Sequence, residues 1–94
     1  MALARVVSFE DVTSDRMAQL ASEVEGSEQP EGMNASELLL LHDPESDKSL
    51  AIVFFENEDD YRAGDQILSS MPTSDTPGRR TSVTKYSVAA RMTQ

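Results

Sequence analysis

The side chains best suited to chemistry in this chain are few. His42 is the single histidine, and there is no cysteine and no tryptophan. A thiolate nucleophile, a disulfide and a cysteine-based metal centre are therefore excluded, and one chain cannot build a multi-histidine metal site. Asp43 follows His42 and could orient its imidazole for acid–base work. Beside an Asp-Pro turn, the same histidine can equally serve as a hydrogen-bonded loop residue. Asp43, Glu45 and Asp47 alternate as calcium ligands do, but Lys48 stands where such a loop needs Gly, and Phe54 stands where it needs Glu. A solvated turn is the reading that remains. No phosphate loop, dinucleotide fingerprint or nucleophile elbow is present.

Arg5 sits within the apolar segment Leu3 to Phe9, on the same face as Val7 and Phe9. A buried guanidinium needs an anionic partner. That partner is either the carboxylate or phenolate of a ligand, or an acid of the chain such as Glu37 or Glu56; snorkelling at the strand's start is a third outcome. Tyr61 and Tyr86 could line the same cavity, or pack in the core with satisfied hydroxyls. The ligand-binding candidates are Arg5, Phe9, Phe54, Tyr61 and Tyr86. No catalytic residue or metal ligand is assigned, and no cofactor is expected. Pro77-Gly78-Arg79-Arg80-Thr81-Ser82 joins a flexible turn to two guanidinium groups. It could grip an anion or be phosphorylated, or it could complement the acidic remainder within the chain or across a dimer.

The elements that must position these groups are legible from pattern. Leu3 to Phe9 is β-branched and aromatic and contains no breaker, which predicts a first strand with two apolar faces. Val12-Thr13-Ser14-Asp15 opens a helix, with Thr13 as cap and Val12 stapled to Met17. Met17, Leu20, Ala21 and Val24 form its apolar stripe, and Gly26 stops it. Loops are expected over Ser27 to Asn34 and Thr73 to Arg80. Glu37 to His42 and Leu50 to Glu56 read as a hairpin around the polar turn Asp43 to Lys48. Asn57 caps a second helix whose stripe is Tyr61, Gly64, Leu68 and Met71, and Pro72 ends it. Gly64 in mid-helix costs roughly 1 kcal/mol relative to Ala, and close approach of a neighbouring backbone would explain it. Thr81 to Met92 is the last strand.

The order is therefore β-α-β-β-α-β, the α+β ferredoxin-like arrangement: a four-stranded antiparallel sheet with both helices on one face. Ninety-four residues fit a single domain spanning 1–94. Two helices cover one sheet face, and the other face of the first, third and fourth strands stays apolar, which favours a two-fold homodimer. The formal charge is −9, with all 17 acids between Glu10 and Asp75. From Thr76 onward there are four bases and no acid, a +4 segment on a −13 body. This balance argues against nucleic-acid and anionic-membrane partners. Without a basic n-region or a long apolar run near the N-terminus, a cytoplasmic location is expected.

Three stretches resemble the dimeric α/β-barrel superfamily, which includes antibiotic-biosynthesis-monooxygenase-like domains. They are Leu3-Ala4-Arg5-Val6-Val7-Ser8-Phe9, the segment Ala51-Ile52-Val53-Phe54-Phe55-Glu56-Asn57-Glu58-Asp59-Asp60-Tyr61, and Thr84-Lys85-Tyr86-Ser87-Val88-Ala89. The resemblance implies a homodimeric barrel with a cavity between sheet and helices in each protomer. Catalysis carries over poorly. There is no Trp, Phe54 or Phe55 holds the aromatic strand-end position, and Arg62-Ala63-Gly64-Asp65 stands where a helix histidine is common. The expected function is binding of a small, largely apolar or aromatic ligand. The alternatives are a cofactor-independent monooxygenase-like enzyme and a purely structural dimerisation module.

Overall fold

The computed structural model describes residues 2–26, 32–70 and 78–92. Its elements are β1 (Leu3–Glu10), α1 (Ser14–Glu25), β2 (Glu37–Asp43), β3 (Lys48–Phe55), α2 (Glu58–Ser69) and β4 (Arg79–Ser87). The strands form one antiparallel sheet in the order β2-β3-β1-β4. This is the ferredoxin-like α+β fold. The expected loop over Ser27 to Asn34 falls outside the described residues at 27–31, and the loop over Thr73 to Arg80 does so at 73–77. Met71 and Pro72 of the second helix's expected end also lie outside them.

Register assigns every strand residue a side. Arg5 lies between Val53 of β3 and Lys85 of β4, and Leu38 of β2 continues that row. This side carries the helices. Phe55, Tyr61, Leu3 and Val53 form one core cluster beneath α2, and Val7, Phe9, Val12 and Met17 form a second beneath α1. Phe55 and Val12 are fully buried, each side chain contributing about 1.5–3 kcal/mol of apolar transfer. Val12 and Met17 are buried in the same cluster, as the predicted staple requires. Thr13 accepts the Arg16 amide at 3.1 Å, and Asn57 accepts that of Asp60 at 2.8 Å, so both caps hold.

Two expectations are corrected. β4 starts at Arg79, opposite Glu10, and stops at Ser87, opposite Leu3. Beyond Ser87 there is no β1 residue left to pair with, so the chain leaves the sheet after the Val88 amide bonds the Ala2 carbonyl at 2.9 Å. Gly64 accommodates a side chain rather than a backbone: a Cβ there would stand 2.3 Å from Phe55 Cζ. The Phe55 ring fills the space the missing methyl leaves, and Tyr61 meets it edge-on at 5.6 Å.

Candidate functional site

Arg5 illustrates how local position creates a chemical requirement. Strand alternation points it under α2, where it is 3% exposed. Its Nε donates to Asp65 Oδ1 at 2.8 Å and its Nη2 to Ser69 Oγ at 3.3 Å. The ion-pair partner is thus Asp65, not Glu37 or Glu56. Those two sit at the sheet's rim, whereas Asp65 lies one helical turn beyond Tyr61 on the stripe that faces the sheet. The i, i+4 spacing of Tyr61, Asp65 and Ser69 was the signal available in the sequence. Lys85, beside Arg5 in the row, places its Nζ 4.9 Å from the Tyr61 ring centre and donates to Glu58 at 2.6 Å. Burial, with Asp65 adding repulsion, pushes the Tyr61 phenol above its ordinary 10. The Lys85 hydrogen bond holds Glu58 below the usual carboxylate value.

The five predicted ligand-binding residues do not converge. Arg5 and Tyr61 share the α2 side. Phe9 is on the same side but belongs to the α1 cluster, four residues further along β1, or about 13 Å. Phe54 and Tyr86 both flank Ala4 on the opposite, uncovered side. Arg91 stacks 5.0 Å from the Phe54 ring, and Tyr86 is 54% exposed.

At the end of the sheet lies a groove that sequence reading did not foresee as a unit, although the predicted ligand residue Phe9 and the sequence candidates His42 and Asp43 are in its lining. This groove of about 420 Å³ is lined by Ser8, Glu10, Leu41, Leu50, Lys48 and Thr81, among others. Pairing of Ser8 with Leu50, and of Leu50 with Leu41, sets a serine and two leucines in one row on its floor. Thr81 reaches it through a bulge, because Ser8 pairs with Ser82 while Phe9 pairs with Arg80. The Thr81 hydroxyl donates to the Ser8 carbonyl at 3.3 Å.

His42 does not engage Asp43. Its Nε2 lies 3.0 Å from the Val12 carbonyl, tying β2 to the β1–α1 connection. Asp43 instead accepts from Ser46 Oγ at 2.7 Å and the Glu45 amide at 3.1 Å; those bonds, with a lesser contribution from His42, hold its carboxyl below the ordinary 3.8. Ser49, opposite His42, is buried, and its hydroxyl has no hydrogen-bond partner among the described residues. Ion pairs join the basic C-terminal segment to the acidic body within the chain: Arg79 to Glu10 and Asp11, Lys85 to Glu58, and Arg91 to Glu56. Among the described residues, no three of His, Asp and Glu group as metal ligands, and no helix is long and apolar enough to cross a membrane.

Compared with protein-family models, with curated proteins and with solved structures, the chain finds no match. The class it defines is therefore structural: a ferredoxin-like α+β domain with one helix-covered sheet face and one that no described helix covers.

Proposed function

We propose that this protein works as a homodimer through its uncovered sheet face, in the manner of the dimeric α/β-barrel proteins it resembles, and binds a small, largely apolar or aromatic molecule. The supporting observation is that face itself. Val6, Leu39, Leu41, Leu50, Ile52, Phe54 and Tyr86 share it, with Leu41 47% and Tyr86 54% exposed. Four strands spaced about 4.8 Å apart and some seven residues long outline roughly 440 Å². Side-chain relief brings two such faces toward the lower end of the interface range.

The ligand site favoured here is the groove rather than the space between sheet and helices. Phe55, Tyr61 and the Arg5–Asp65 pair occupy the latter near α2. The groove's volume is in the range of small-molecule sites, and its leucine floor suits an apolar body. A facing sheet would close it from water.

Sedimentation velocity from 1 to 100 μM tests the dimer, with Ile52→Asp as the disrupting variant and circular dichroism as the check on folding. NMR titration with small aromatic compounds tests the ligand; shifts should cluster at Ser8, Leu41, Leu50 and Thr81. A dimer without such shifts would leave a dimerisation module, and a monomer throughout would remove the proposal. Oxygen uptake with quinol-type aromatics, lost in Arg5→Ala, would establish the enzyme reading instead.

A further inference from the structure

Among the described residues the sheet has two free edges, and their chemistry is complementary. β2 presents the run Leu38-Leu39-Leu40-Leu41, in which Leu38 and Leu39 are each 39% exposed and Leu41 47%. It carries no Pro, no Lys and no bulge, and its charged residues stand only at its ends, so its middle four residues have none of these protective features. Its two ends are Glu37 and Asp43, neither of them ion-paired among the described residues. β4, the opposite edge, is exposed at every residue and carries Arg79, Arg80 and Lys85 around Val83 and Thr84. Arg79 and Lys85 are engaged within the chain, and Arg80 has no carboxylate partner among the described residues.

Strand direction determines how these edges can meet. Every neighbour in the order β2-β3-β1-β4 is antiparallel, so β2 and β4 run in opposite directions. A second copy laid alongside therefore continues the sheet with an antiparallel β4–β2 pair. Faces must also match: Leu38 and Leu40 lie on the helix side with Val83 and Lys85, and Leu39 and Leu41 on the open side with Ser82 and Thr84. Setting Leu40 opposite Val83 of the next copy places Leu39 opposite Thr84 and Leu41 opposite Ser82. Leu38 then meets Lys85, and Glu37 meets Tyr86. Every leucine gains a cross-strand neighbour, and the Arg79–Arg80 end of one strand meets the Asp43 end of the other.

Symmetric pairings fit less well. A two-fold β2–β2 contact that keeps like faces together cannot oppose all four leucines, and centred on Leu40 it sets Glu37 against Asp43. A β4–β4 contact leaves the leucines bare and gathers the basic residues of both copies. We infer that copies of this chain add edge to edge, β4 of one against β2 of the next. Such a head-to-tail contact continues into a ring or filament.

The test uses two variants on the helix side of the sheet, away from the uncovered face. Leu38→Lys blocks β2 by opposing Lys85, and Val83→Glu blocks β4 by bringing a carboxylate to an acid-flanked strand. Light scattering after size exclusion should show wild-type mass rising beyond a dimer with concentration. Each variant alone should stop at or below the dimer while remaining folded by circular dichroism. An equimolar mixture should be heavier than either variant alone, because each variant keeps the edge the other lacks. In an Ile52→Asp background the edge association should persist, which separates it from the face dimer. A mixture no heavier than its components would overturn the inference. So would Val83→Glu associating as the wild type does, since that result means β2–β2 pairing.

Discussion

Arg5 and Asp65 show what a single buried charge demands. The guanidinium has left water almost entirely, while Asp65 remains 43% exposed. Removing Asp65 strands a buried cation; removing Arg5 leaves a carboxylate that is 43% exposed and can be solvated. Asp65→Ala is expected to cost about 1–3 kcal/mol in urea denaturation, discounted for the carboxylate's exposure. Arg5→Met should lie within about 1.5 kcal/mol of the wild type, since it fills the site with apolar volume. Equal losses in the two variants would mean the pair itself, rather than the unpaired charge, sets the energy. Tyr61 permits a pH test. The chain has two tyrosines, so Tyr86→Phe leaves Tyr61 as the only phenol. Its native titration, followed by ultraviolet difference absorption, should have a midpoint above 10. Above pH 10 the unfolded phenol ionises while the native one stays protonated. The unfolded state then binds fewer protons, and stability should fall as pH rises through the native value. A native midpoint at or below 10 would contradict the burial of this ring.

At the scale of elements, α2 is held to the sheet by shape as much as by burial. Gly64 weakens the helix by roughly 1 kcal/mol against Ala, yet its missing methyl admits the Phe55 ring. Gly64→Ala should therefore destabilise, by about 1–3 kcal/mol from overpacking less the propensity gain. Phe55→Leu in the same molecule should recover part of the loss, because a smaller side chain leaves room for the methyl. A stabilised single variant in thermal denaturation would show that the ring moves aside freely. The order of elements, both helix caps and the clustering of Val12 with Met17 were legible in the sequence, since each depends on residues a few positions apart. The end of β4 was not. Val88 to Met92 has a strand's composition, but β1 has no residue left to meet it.

For the whole molecule, the split between an acidic body and a basic end turns out to be largely an internal arrangement. Arg79, Lys85 and Arg91 each pair with a carboxylate of their own chain. Cations paired within their own chain are poorly placed to bridge two sheet faces, so these three are not expected to hold the face-to-face dimer together. Two bodies of −9 repel, and screening relieves that repulsion. Between 0.05 and 0.5 M salt, the face-to-face dimer should tighten. Sedimentation equilibrium of Leu38→Lys, which removes edge addition, measures this directly. Weakening by salt would place ionic contacts in the interface after all.

The sequence by itself determined the α+β class, the strand and helix order and the two-sided character of the sheet, because hydrophobic period and capping chemistry act over a few residues. It also excluded thiol and multi-histidine chemistry by composition. Only the tertiary structure decided which partner each long-range group would take. Arg5 met Asp65, 60 positions away, because the β3–α2 connection laid that helix across β1. Phe54 and Tyr86 parted from Arg5 and Tyr61 because strand alternation sends neighbours to opposite faces. The groove at Ser8, Leu41, Leu50 and Thr81 exists only where three pairing registers and one bulge coincide. Registers are set by the packing of whole faces, and no short stretch of this chain specifies one alone.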